Sequence, residues 1–111
     1  MSPDEKVYVC LGNRKKRVIC WSISRCGGCL VVTSACHRSE EGFCITHTLT
    51  GQTITGSNIS STVKEAKTLA RKFWRLLNAD QKKIWSESDS PKAVIECTPE
   101  DARLLVQGKE Y

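Results

Sequence analysis

Residues 61–77, STVKEAKTLARKFWRLL, are the longest run in this chain with one unambiguous period, and they restrict the fold more than any other stretch. At 100° per residue, Val63, Ala66, Leu69, Ala70, Phe73, Leu76 and Leu77 fall on one face, as a helix packed on a core requires. Lys64, Lys67, Arg71 and Arg75 fall on the opposite side within a narrow arc, with Lys72 beside them and Trp74 on the seam. Thr62-x-x-Glu65 fits a capping box, and Ser60 or Ser61 offers an equivalent N-cap. Such a helix must lay its apolar face on other elements, and it turns a basic surface outward.

The residues before it supply the partner. Residues 7–11 alternate Val7, Val9 and Leu11 against Tyr8 and Cys10, which is the period of a strand. Gly12-Asn13 is turn chemistry, followed by the four bases Arg14, Lys15, Lys16 and Arg17. Residues 18–24 resume the alternation, so the expectation is a hairpin with a basic tip. Cys26-Gly27-Gly28-Cys29 makes a second turn, because glycine tolerates positive φ. Residues 30–36 and 43–50 read as a third and a fourth strand, joined by the polar turn 37–42. A short fifth strand at 52–55, or a loop, precedes the helix.

After the helix, Asn78 resembles an N-cap with Gln81 three residues on, and a short second helix is expected over 80–86. Residues 93–97 form a short β-prone run, read as a late strand. Thr98-Pro99-Glu100-Asp101 then carries a capping hydroxyl, a proline and two acids, the signature of a C-terminal helix. Strands first and helices later imply an α+β fold: an antiparallel meander of four to five strands packed against the long helix. At 111 residues, with no linker or repeat, residues 1–111 form one domain.

Seven cysteines raise the question of compartment. The N-terminus carries acids where a signal peptide needs bases, and no apolar run nears the ~20 residues that span a bilayer. The expectation is therefore a cytoplasmic or nuclear protein with reduced thiols, not a secreted one. Cys26 and Cys29, followed fourteen residues later by Cys44-x-x-His47, have spacing compatible with a zinc ribbon. Against this, positions 44 and 47 of an extended strand point to opposite faces, and the adjacent pair Cys36-His37 diverges equally. The cofactor expectation is therefore none, with zinc as the alternative. Cys26 and Cys29 also resemble a redox dithiol, but a strand follows them where such motifs need a helix to lower the thiol pKa.

No spacing selects a Cys–His pair with an acidic orienter, no Gly-rich loop cradles a phosphate, and no carboxylate pair is placed for acid–base work, so the chain does not read as an enzyme. Its charge is more informative. The formal net charge of +5 is unevenly spread: residues 12–38 carry six bases and no acid, and residues 61–83 seven bases against two acids. Clusters of this kind fit an anionic partner. The expectation is a small non-enzymatic binding protein that contacts nucleic acid through Arg14, Lys15, Lys16, Arg17, Lys64, Lys67, Arg71 and Arg75, with Trp74, Tyr8 and Trp21 available to stack unpaired bases. The alternative is an inhibitor or adaptor that docks on a larger, nucleic-acid-handling complex.

Overall fold

The computed structural model describes residues 5–11, 14–34, 42–55 and 60–107, and for residues 5–11, 14–19 and 107 the backbone only. It is an α+β fold with an antiparallel sheet and four helices. The strands β1 (Glu5–Leu11), β2 (Arg14–Ser22), β3 (Leu30–Ser34) and β4 (Phe43–His47) pair antiparallel in sequence order. Helices α1 (Val63–Arg75), α2 (Ala79–Glu87), α3 (Pro91–Cys97) and α4 (Glu100–Gln107) follow.

β2 changes partner along its length. Cys20–Ser22 pair with Thr33–Val31 of β3, and the positions from Arg14 to Cys20 pair with β1, from Leu11↔Arg14 to Glu5↔Cys20. The basic run 14–17 is therefore the start of a strand and not the tip of a turn, and strand alternation divides its four positions between two faces. The turn expected at Gly12-Asn13 and the polar turn at 37–41, with Cys36 and His37, lie outside the described residues.

α1 packs on β3, β4 and α4. Leu30, Val32 and Ile45 on the sheet meet Ala66, Ala70, Phe73, Trp74 and Leu77, and Trp85, Val94, Ala102 and Val106 of the later helices close the same core. The opposite positions on β3 and β4 are not wet. Thr33, Cys44 and Thr46 are buried, and the two threonine hydroxyls satisfy each other at 2.9 Å. The outer edge of β4 is taken by residues 52–54 and by Ser60: Ile54 N–H donates to Ile45 O (2.8 Å), His47 N–H to Gln52 O (2.9 Å), and Phe43 and Ser60 exchange a pair at 2.7 and 3.0 Å. Of the short strand or loop expected at 52–55, the structure has a loop with one isolated bridge, Thr46↔Thr53.

The helix over 61–77 is shorter than its period suggested. It runs 13 residues, starting after Thr62, whose Oγ1 accepts from Glu65 N–H at 3.1 Å. It ends at Arg75 because Leu76 N–H turns back to Phe73 O, tightening the last turn. Leu76, placed on the core face by the period, is 44% exposed, and Leu77 is buried. α2 carries the full capping box, with Gln81 N–H donating to Asn78 Oδ1 (2.8 Å) and Asn78 N–H to Gln81 Oε1 (2.7 Å).

The late strand at 93–97 is not formed: these residues belong to α3. Ser90 Oγ accepts from Ala93 N–H at 3.3 Å and Pro91 sits in the first turn, a helix start that outweighs the β propensity of Val94 and Ile95. The outer edge of β4 is not open to such a strand either, since Gln52, Ile54 and Ser60 already pair with it. Thr98, expected to cap the last helix, instead closes α3. Its hydroxyl donates to Val94 O (2.7 Å) and accepts from Trp85 Nε1–H (3.2 Å), tying α2 to the α3–α4 corner. No described helix is long and apolar enough to cross a membrane.

Candidate functional site

The outer face of α1 carries five bases, Lys64, Lys67, Arg71, Lys72 and Arg75, against one acid, Glu65. The physical origin is the amphipathic period: Ala66, Ala70 and Phe73 are fixed against the sheet, so the residues between them are forced outward. Lys64, Lys72 and Arg75 are exposed, and Lys67 and Arg71 half-buried. Glu65 is already occupied, since its Oε1 accepts from the Ser61 (3.0 Å) and Thr62 (3.1 Å) hydroxyls at the helix start. Lys64 and Lys72 line a groove of about 360 Å³ with Ser60, Glu65, Thr68, Leu69 and Leu105, where α1 and α4 meet.

Arg71 has a second task. Its Nε–H donates to Ser24 O (3.3 Å) and its NH2 to Ser24 Oγ (3.0 Å), so it clamps the β2–β3 connection. Arg75 Nε–H folds back onto Arg71 O at 3.3 Å, a favourable place for a cation at a helix C-terminus. The clamp also fixes how the two basic segments relate. Ser24 follows the C-terminal end of β2, and Arg14–Arg17 occupy its N-terminal end. Five residue steps from Arg17 to Ser22, at about 3.3 Å each, put about 17 Å of strand between them, rising to about 26 Å from Arg14.

The connection held by Arg71 contains the cysteine pair. Arg25, Gly27 and Gly28 take positive φ (64°, 65° and 70°), and Cys29 N–H closes the turn on Cys26 O at 3.4 Å. Both thiols point into the core and are essentially inaccessible. Burial pushes the Cys29 thiol up to about 11, reinforced by Cys26 and opposed by a hydrogen bond with Ser86. Burial raises Cys26 as well, against the Arg71 guanidinium. Protonated, enclosed thiols are poor nucleophiles and poor ligands. Gly27 lies directly under Trp74, and a Cβ there would stand 2.6 and 2.7 Å from two ring carbons.

The proposed zinc ligands are not brought together. Cys44 pairs with Thr33 and His47 with Leu30, three residues apart and therefore on opposite faces of β4. Both His47 ring nitrogens are engaged. Nε2 is 2.6 Å from Trp85 O, which can only accept, so Nε2 carries the proton; Nδ1 is 3.0 Å from Thr50 Oγ1 and accepts from it. Burial holds this imidazole below its ordinary pKa, opposed by the Trp85 carbonyl. Among the described residues no group of three His, Cys, Asp or Glu side chains could hold a metal ion.

Trp74, placed on the helix seam, is buried at 9% exposure between Gly27 and the core, so it offers no open ring to a base. The structure adds participants that sequence reasoning passed over. Ser24 and Ser86 hold the Cys26–Cys29 turn, and Thr50 and Trp85 set the His47 tautomer. None of them belongs to a local motif; each is joined to its partner only by the tertiary fold, apart from Thr50. A second concavity, a cleft of about 130 Å³, opens between the 50–54 segment and α2–α4, floored by Phe73, Trp85 and Val106 and rimmed by Ile95 and Arg103.

Comparison with protein-family models, with curated proteins and with solved structures finds no match to this chain.

Proposed function

We propose that this is a small non-enzymatic binding protein that holds nucleic acid on the outer face of α1. The observation that carries the reading is the five-to-one excess of bases on that face, with its one carboxylate already engaged by Ser61 and Thr62. Lys and Arg in this arrangement neutralise phosphates and release condensed counterions, so affinity falls steeply with salt. Arg14, Lys15, Lys16 and Arg17, divided two and two between the faces of β2, offer a second and more distant set of cations at the far end of that strand. The enclosed thiols suit a reducing compartment, the cytoplasm or the nucleus, and the reading needs no cofactor.

The test replaces Lys64, Lys72 and Arg75 together by Glu and follows binding to mixed-sequence oligonucleotides from low to moderate salt. Arg71 is left alone because it holds Ser24. The expected outcome is loss of binding with the fold retained in the melting curve, the two carboxylates placed in the last turn of α1 costing about 0.3–1 kcal/mol each. If the triple variant binds as well as the parent at every salt concentration, the basic-face reading fails. A second reading, an inhibitor or adaptor docking on a protein, is favoured by the cleft beside α3, where Ile95 is 54% exposed at the rim. Binding through that cleft would survive both moderate salt and the triple substitution.

A further inference from the structure

We propose that the nucleic acid held by α1 is double-stranded, gripped across its two phosphate rows, and not a single strand whose bases stack on the protein. This rests on the nucleic-acid reading above and narrows it. Two observations carry it.

The first is where the rings are. A single-strand site joins a basic groove to aromatic side chains on which successive bases stack, each stack contributing about 1–3 kcal/mol. Here Phe73, Trp85 and Trp74 are buried, and Phe73 and His47 pack edge-on against Trp85 at 5.1 and 4.9 Å. Trp21 and Phe43, both half-buried, are spent on each other at 5.4 Å and 86°. The groove that holds Lys64 and Lys72 has leucines, hydroxyls and the Glu65 carboxylate, itself bonded to Ser61 and Thr62, in its walls, and no ring. Among the described side chains, the basic face therefore has cations to offer a phosphate and no aromatic ring to offer a base.

The second is the shape of the cation display. Lys64 to Arg75 spans about 17 Å along the helix axis, and the exposed bases Lys64, Arg75 and Lys72 fan over about 80° around it. A lone backbone laid along the helix meets one line of that fan. A helix about 10–12 Å across, lying against a groove, has a phosphate row on each side and uses the whole fan. Lys72 then turns toward one row, and Lys64 and Arg75, about 60–80° around the helix from it, turn toward the other.

The test is a fluorescence-anisotropy titration with four probes of matched sequence and length: duplex DNA, duplex RNA and the single strand of each. They are measured with the parent chain and with the Lys64→Glu, Lys72→Glu, Arg75→Glu variant. A Lys64→Gln, Lys72→Gln, Arg75→Gln variant is carried alongside, and each protein is checked by its melting curve. Duplexes are expected to bind at least tenfold tighter than their single strands. The slope of log K on log salt should be shallower in the Gln variant by about 2.7 for duplex DNA, three contacts at about 0.9 each. Preference for either duplex supports the proposal and names the polymer. Equal or tighter binding of single strands overturns it while leaving the nucleic-acid reading intact. Failure of all four probes to bind the folded parent overturns both.

Discussion

Gly27 and Gly28 sit side by side with nearly the same backbone, φ +65° and +70°, yet they are not equivalent. A Cβ on Gly27 would meet Trp74 at 2.6 Å and the Ser86 hydroxyl at 2.8 Å, whereas a Cβ on Gly28 would meet nothing within 4 Å. Gly28→Ala should therefore cost only the left-handed penalty, about 1–2 kcal/mol. Gly27→Ala adds the displacement of a packed indole, a further cost of about 1–3 kcal/mol. Urea unfolding of the pair checks this, and equal losses would mean that Trp74 yields freely. His47 makes a prediction in pH. Its folded pKa is lower than the 6.5 of an unfolded imidazole, so the unfolded state takes up the proton first. Its stabilising contribution is complete above about 6.5 and is lost as pH falls through the folded value. The unfolding midpoint should drop between pH 7.5 and 5, and His47→Gln should flatten that dependence.

At the scale of elements, the caps were the most legible features, because a cap is a local arrangement of three or four residues. Thr62 and Asn78 do what their spacing to Glu65 and Gln81 implies. Thr62→Ala removes the acceptor of Glu65 N–H and releases Glu65 Oε1, and it should cost about 1 kcal/mol by denaturant unfolding. Residues 93–97 show where local reading fails. Val94 and Ile95 favour a strand in isolation, but the Ser90-Pro91 start and the lack of an open edge at β4 make them helix. Thr98 fails in the same way: its hydroxyl is drawn to Val94 O and Trp85 Nε1, a competition that no window of sequence contains. Thr46 of β4 is fully enclosed, and its hydroxyl is satisfied by that of Thr33 at 2.9 Å.

At the scale of the molecule, Arg71 divides the basic stripe into what binds and what builds. It looks identical to Arg75 on a helical wheel, yet it is the residue that fastens α1 to the β2–β3 connection. Arg71→Ala should lower stability by about 0.5–1.5 kcal/mol, whereas Arg75→Ala should leave it within about 0.5 kcal/mol. Comparing the two melting curves tests that division, and equal stability would show the clamp to be idle. The sequence by itself determined the α+β class, the apolar and basic faces of α1 and the caps of α1 and α2, because period and capping are decided within a few turns of chain. Only the tertiary structure decided that Trp74 is covered by Gly27, that His47 and Cys44 face apart, that residues 93–97 are helical and that Arg71 is committed to Ser24. Each of these depends on which distant residue arrives within a few ångströms, and packing selects that neighbour among partners that sequence spacing leaves equivalent.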